Sequence, residues 1–491
     1  MKHVSRLSMV FGGLLGVAWV AASASGQGAA QLWANNCASC HAADGRGGGA
    51  GTRSLLTQEL MDQKYDRLFF DAIKKGVPDM GMAAFGETLK DEQIWSLVVH
   101  IRELQAKDLR RKAGSPKATA GVYRSQHHEF TIETVIDKGL RTPWCIAFVS
   151  GYGTPPVEGM LITNRTGPVS LWRNGALVDI QGIPDSVDNG QGGMMDVTTH
   201  PKYAENGWVY LAFAAPHPTE RRRGTMTKVV RGRLKAEGGT VRWVDSQTIF
   251  DAKPEHYLAT GLHFGVKLAF DPKDPSIVFF GIGERGRMEM AQDLTRPNGK
   301  IHRVHDDGRI PADNPFVNTD GAYPSIWSYG HRNPQGLVFD LEGNLWDTEH
   351  GPRGGDELNL IRKGRDYGWP TVSFGINYND APFRQPWPDA VGKSGAIEMP
   401  VYRWLPSIGA CGLGCYDGTA FPAWRGDLFA GGLSGNNVDR LRVKNGTLVE
   451  REEIIHGMGR VRDVRTGPDG ALYVTLNDPD RLIRLVPPKA K

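Results

Sequence analysis

A strand, a polar turn and a second strand recur through the chain from Trp144 onward, and no other feature restricts the fold so severely. The units run from Trp144 to Val149, Met195 to Leu211, Val266 to Phe280, Gln335 to Trp346, Asp417 to Phe429 and Arg462 to Val474, the Asp417 unit being the weakest. Their turns are alike: His200-Pro201, Asp271-Pro272, Asp340 to Gly343, Pro468-Asp469-Gly470. A lone hairpin cannot bury its apolar face, so repeated units stack against one another. Six of them predict an all-β six-bladed propeller over residues 128–488. The 62 glycines and 30 prolines suit such a turn-rich body. Inner propeller strands point their ends at a central channel, so residues far apart in sequence can meet at one mouth.

Upstream lies a different kind of segment. Lys2 and Arg6, an apolar run from Leu7 to Val20, and Ala21, Ala22, Ser23 and Ala24 form an export-signal pattern over residues 1–24. The run falls short of the ~20 residues of a spanning helix, and no later stretch is apolar and long enough. The expectation is a periplasmic or secreted protein with no transmembrane segment after cleavage. Residues 27–107 contain Cys37-Ala38-Ser39-Cys40-His41, the spacing of a covalent c-type haem site. Two thiols add to the haem vinyl groups, and the adjacent histidine reaches the iron. No second cysteine pair lies nearby to complete a zinc shell. Farther on, Ile94, Leu97, Val98, Ile101 and Leu104 share one face of a helix that begins with Asp91 and Glu92. This small all-α unit resembles a class I cytochrome c domain, including its methionine loop at Pro78 to Gly86. The resemblance makes Met82 the second axial ligand, with Met80 the alternative; such ligation favours electron acceptance.

Residues 108–127 show no apolar period and read as an exposed tether between independently packed domains. Of the remaining cysteines, Cys411 and Cys415 could close a small loop or stand as buried thiols on strands. The net charge of +4 gives no warrant for nucleic-acid binding, and Arg221, Arg222 and Arg223 read as a solvated loop.

Polar residues crowd one stretch: GHRNPQG at Gly330 to Gly336, EHGPRGGDELN at Glu349 to Asn359 and YGWP at Tyr367 to Pro370. Turn residues fix the backbone there beside planar polar side chains, a composition suited to gripping a rigid, charged small molecule. Gln191, His263, Arg332 with Asn333, and Arg460 with Arg462 lie near inner strands of other units. Together with GQGGMMD (Gly190 to Asp196), GLHFG (Gly261 to Gly265), GERG (Gly283 to Gly286) and RVRDVRTGPDG (Arg460 to Gly470), this stretch resembles the soluble aldose sugar dehydrogenases that use pyrroloquinoline quinone (PQQ). The resemblance covers nearly all of His128 to Pro488.

It implies that Arg460 and Arg462 pair with PQQ carboxylates, that Gln191 and Asn333 bond the quinone edge, and that Arg332 stabilises charge developing on it. Calcium would be held by the backbone carbonyls of Gly351 and Pro352, and a second calcium by Glu357 and the backbone of Tyr367. His263 matches the family's general base and Glu284 its acidic partner. One departure is Ser434-Gly435-Asn436-Asn437, where relatives carry a cofactor-contacting lysine. The expected protein oxidises aldose sugars at C1 to lactones and passes electrons to its c haem, then to a downstream cytochrome or respiratory acceptor. The alternatives are a propeller reductase with a second haem, or a non-catalytic sugar-binding or relay protein.

Overall fold

The computed structural model describes residues 27–48, 52–220, 224–383 and 397–489; the export segment and the Arg221 to Arg223 run lie outside these. The first domain packs α1 (Ala29–Asn36), α2 (Ala38–His41), α3 (Asp66–Lys75) and α4 (Asp91–Ala113) around buried Leu32, Trp33, Phe69, Phe70, Ile94 and Leu97. Helix α4 starts where the Gln93 side chain accepts a hydrogen bond from the Lys90 amide, with Asp91 and Glu92 in its first turn. It ends on Arg110, Arg111 and Lys112, whose charges complement the helix dipole.

That helix corrects the tether expected at residues 108–127. Asp108 is buried and pairs with Arg46 at 2.6 Å and Lys112 at 2.7 Å, and Arg110 reaches Glu453 of the propeller at 2.7 Å. Tyr123–Arg124 then joins the propeller as an edge strand. The two domains are not independently packed either. Val372, Phe374 and Ile376 of the propeller belong to the same buried apolar cluster as α1, α3 and α4.

Six antiparallel sheets follow. Blade 1 runs from Pro143–Val149 to Ala176–Asp179, blade 2 from Met194–Thr199 to Thr240–Phe250, and blade 3 from Leu268–Phe270 to Ile326–Tyr329. Blade 4 spans Pro334–Phe339 to Tyr402–Trp404 and blade 5 Ala410–Cys415 to Thr447–His456. Blade 6 pairs Arg460–Thr466, Leu472–Asn477 and Arg481–Val486 with Glu129–Ile136 from the start of the propeller, which closes the ring. The first strands of successive blades touch around the whole circle. Near the axis, the buried Lys267 ammonium lies 3.0 Å from Asp196 of blade 2 and 2.7 Å from Asp463 of blade 6.

The six-bladed expectation holds, with one unit relocated. The first strand of blade 5 is Ala410–Cys415, and Asp417 opens the long turn to Leu428–Gly432. None of the five cysteines is in a disulfide. Cys411 and Cys415 sit on one extended strand, so their Cα atoms are roughly 13 Å apart, beyond the ~7 Å reach of a disulfide.

Candidate active site

Blade ends converge on an axial cavity of about 410 Å³ lined in part by Trp144, Arg165, Gln191, His350, Arg460 and Arg462. The GHRNPQG turn beside it is organised by Glu349. Its carboxylate accepts hydrogen bonds from the amides of Arg332 (2.7 Å) and Asn333 (3.3 Å) and from Asn359 Nδ2 (3.0 Å). Arg332 is thereby turned so that Nη1 donates to the His350 carbonyl at 3.1 Å, while its Nε is buried without a partner. Asn333 Oδ1 accepts from the Gly265 amide at 3.1 Å, which leaves Nδ2 buried and unpartnered.

His263 stands next to this turn in a conformation that histidines seldom adopt, with φ of 47°. Its amide donates to Gln191 Oε1 at 2.8 Å, and its Nδ1 lies 2.5 Å from Glu284 Oε1. A non-glycine backbone residue in the left-handed region stores strain, a feature that clusters at functional sites. Glu284 is fixed in turn by its backbone N–H, which donates a hydrogen bond to the Arg332 carbonyl at 2.9 Å. Only glycine fits before it: a Cβ on Gly283 would come 2.3 Å from the His263 carbonyl oxygen. Burial lowers the His263 pKa and nearby Arg332 adds to the lowering, while the hydrogen bond to Glu284 opposes both. The ring is therefore neutral at neutral pH. With Nδ1–H directed at the carboxylate, Nε2 is the basic nitrogen.

Three guanidinium groups face the cavity. Arg462 lies 4.0 Å from the centre of the Trp144 ring and contacts Asn477 Oδ1 at 3.4 Å; among the described residues it makes no ion pair. Burial lowers its pKa. Arg460 approaches Asp478 only to 3.7 Å. Arg165, which the sequence reading missed, pairs with Asp188 at 2.8 Å and donates to the Gly190 carbonyl. No local motif marks Arg165, which follows a strand of blade 1 and reaches the cavity only through ring closure. His350 was missed too, although it lies inside EHGPRGG. Burial, helped by Arg332, holds its pKa down at about 3, and its Nε2 has no partner.

A second cavity of about 410 Å³ shares His350, Leu433 and Arg460 with the first and is lined by Gly351, Pro352 and Ser434. Asp356 secures this wall by accepting from the amides of Gly351 (3.0 Å), Ile408 (3.0 Å) and Ala410 (2.8 Å). Ser434 brings no charge to it. Glu357 lies on the adjacent strand among buried Asp347 and Glu349, and Asn359 Nδ2 bridges Glu349 and Glu357. Both Asp347 oxygens lack partners, and burial beside Glu349 raises the pKa of Asp347 and Glu357 well above the usual range. The Tyr367 ring closes the same pocket by stacking on His331 at 4.5 Å. Asp347 is thus a further candidate ligand that the motifs did not single out.

In the helical domain Cys37 stands at the N-cap of the short helix α2, which contains Cys40 and ends on His41. His41 has a buried, unpartnered Nδ1, and burial lowers its pKa, which keeps it in the neutral, ligating form. Met80 is 65% exposed, whereas Met82 packs on the helical core and its backbone pairs with Val77.

Fold and site together define a propeller oxidoreductase that carries a cytochrome c domain. The family model described as glucose/sorbosone dehydrogenase matches residues 140–484, and that of the cbb3-type cytochrome c oxidase subunit III matches residues 24–101. The aldose sugar dehydrogenase YliI of Escherichia coli is 39% identical over 73% of this chain and 93% of its own length. The solved structure of the soluble aldose sugar dehydrogenase from E. coli superposes with a TM-score of 0.65, at 36% identity over 73% of this chain and all of that one. The PQQ-bound aldose sugar dehydrogenase of Streptomyces coelicolor shares the fold, with a TM-score of 0.56 at 24% identity over 76% of this chain and 99% of its own. The chain belongs to the glucose/sorbosone dehydrogenase family, with an N-terminal cytochrome c domain.

Proposed function

We propose that the protein oxidises the C1 hydroxyl of aldose sugars to lactones with PQQ in the axial cavity, and relays the electrons through a haem c bonded to Cys37 and Cys40. The observation that carries this reading is an axial cavity lined by the half-buried Arg462 guanidinium, which makes no ion pair among the described residues, and by Gln191, whose Oε1 accepts from the amide of His263 in the strained His263–Glu284 pair. A tricarboxylate fits there: Arg462, Arg460 and Arg165 line the cavity with three cations, and beside it Arg332 Nε and Asn333 Nδ2 are buried donors without partners among the described residues. Arg165 also answers for the lysine absent at Ser434. When bound, PQQ supplies a two-electron acceptor, calcium a Lewis acid beside it, and haem a one-electron relay.

The remaining work falls to the chain. His263 Nε2 takes the C1 hydroxyl proton as the C1 hydrogen departs as hydride, and Glu284 holds Nδ1–H and stabilises the imidazolium that forms. Arg332 presents its charge where negative charge develops, and Asn333 and Gln191 fix orientation. Trp144 and Leu433 narrow the cavity against water. His41 and Met82 are the iron ligands of this reading. The export-type segment of residues 1–24 supports a periplasmic or secreted site of action.

Glu284→Gln should lower kcat/KM by roughly 10²-fold. Because Glu284 raises the His263 pKa, its removal should also move the acid limb of the kcat/KM profile toward lower pH; a limb left in place would remove Glu284 from this role.

Calcium is assigned to the Gly351 and Pro352 carbonyls and to the buried group of Glu357, Asp347 and Tyr367. Buried Asp347 and Glu349 with half-buried Glu357 beside them call for a cation, and His331 is already turned to Glu349. Adding calcium to chelated protein at about a hundred times its dissociation constant should stabilise it by ~2.7 kcal/mol. Asp347→Asn should remove part of that gain, read as the thermal midpoint with and without calcium.

Reconstitution with PQQ and calcium tests the reading as a whole: an artificial dye should then be reduced on addition of aldose, and absence of any aldose-dependent dye reduction would refute it.

A further inference from the structure

Helix α4 presents Trp95, Val99 and Glu103, spaced by four residues and so on one face, to the propeller beside the second cavity. Trp95 Nε1 donates to the Phe374 carbonyl at 3.1 Å in a buried contact. Val99 packs over Gly354, where a Cβ would meet its Cγ1 at 3.5 Å. Glu103 grips Arg353 with two hydrogen bonds of 2.9 Å and itself forms part of the wall that contains Gly351 and Pro352. Two further clamps flank this face. Asp66 of α3 bridges Arg102 and Arg403, and Asp380 of the propeller accepts from the Ala30 amide of α1 while holding Arg353.

The same helix leads onward to the haem motif. The half-buried His100 adjoins Val99, its ring centre is 5.4 Å from that of Trp33, and Trp33 is 6.1 Å from His41. A row of rings thus runs from the cavity wall to the histidine of the haem motif.

We infer that the cytochrome domain is locked against the rim of the active-site cavity and that this contact is the electron exit. Electrons pass across the Glu103–Arg353 and Val99–Gly354 face, by His100 and Trp33, without excursions of a tethered carrier. The inference rests on the proposed sugar oxidation. Each aldose oxidised yields two electrons and two protons. The haem iron accepts the electrons singly, and an external one-electron acceptor such as ferricyanide reoxidises it after each. A buried contact between two apolar surfaces, clamped by ion pairs at its edge, is the arrangement of a permanent interface and not of a transient encounter.

The test compares wild type, Glu103→Arg and the charge swap Glu103→Arg/Arg353→Glu in full-length haem-loaded protein. Hydrogen exchange of residues 95–99 and 372–376 reads docking without PQQ or substrate. Stopped-flow haem reduction by aldose after reconstitution reads transfer, and dye reduction reads the propeller site alone. Glu103→Arg should lose exchange protection and lower the ratio of haem reduction to dye reduction in the same protein by about tenfold or more; the swap should restore both. Haem reduction at the wild-type rate in a variant that exchange shows to be undocked would overturn the inference. So would protection and haem reduction both unchanged in Glu103→Arg. Absence of dye reduction in wild type would instead strike the proposed function, and docking would still be read by exchange.

Discussion

His263→Ala is expected to lower aldose turnover by about 10³-fold or more while PQQ affinity changes little. The side chain supplies the basic nitrogen, whereas the link to Gln191 runs through the backbone amide and survives the substitution. The carboxylate-binding arginines come from other blades and keep their places. Steady-state dye reduction gives the turnover, and a titration of PQQ into the chelated and then calcium-loaded protein gives the affinity. Turnover within a few fold of wild type would show that another group takes the proton.

The second large effect concerns the ring itself. Lys267 is fully buried between Asp196 and Asp463, and those two carboxylates raise its pKa against the opposing effect of burial. Lys267→Met leaves the buried Asp196 and Asp463 at the junction of blades 2, 3 and 6 with Arg465 alone, at 3.6 and 3.2 Å, to offset two charges. The expected cost is about 3–5 kcal/mol, read as a lowered urea midpoint of the propeller. Adding Asp196→Asn should recover much of it, because Asp463 and Arg465 then balance, and the charge left behind, not the lost contact, is the larger part of the penalty. An unchanged midpoint in Lys267→Met would remove this cluster from the forces that close the ring.

The repeating turns made the propeller legible, because each hairpin needs a neighbour to cover it. Blade 5 was displaced because Ala410-Cys411-Gly412-Leu413-Gly414-Cys415 has none of the bulky alternation that marks a strand, although every one of its residues but Cys415 is buried. His263, Glu284, Arg332 and Asn333 came from separate motifs, and the fold joins them through the His263–Glu284 contact and the Glu284 N–H on the Arg332 carbonyl. Arg165, His350 and Asp347 carried no readable signal, since their significance comes from which blades the ring makes adjacent. The charge run after Lys107 looked like a solvated tether because sequence alone does not reveal that Asp108 is buried and that Arg110 reaches Glu453 at 2.7 Å. Likewise Val372, Phe374 and Ile376 read as apolar residues of the propeller, while in the fold they form the seat of the cytochrome domain.

The central claim is that sugar oxidation in the propeller reduces the haem of the same chain. The most direct measurement mixes aldose with full-length protein reconstituted with PQQ and calcium and follows the haem spectrum over a range of protein concentrations. The account predicts haem reduction that requires both additions and proceeds at a rate independent of protein concentration, as expected for transfer within one molecule. A haem that stays oxidised while dye is reduced, or a rate that rises in proportion to protein concentration, would contradict it.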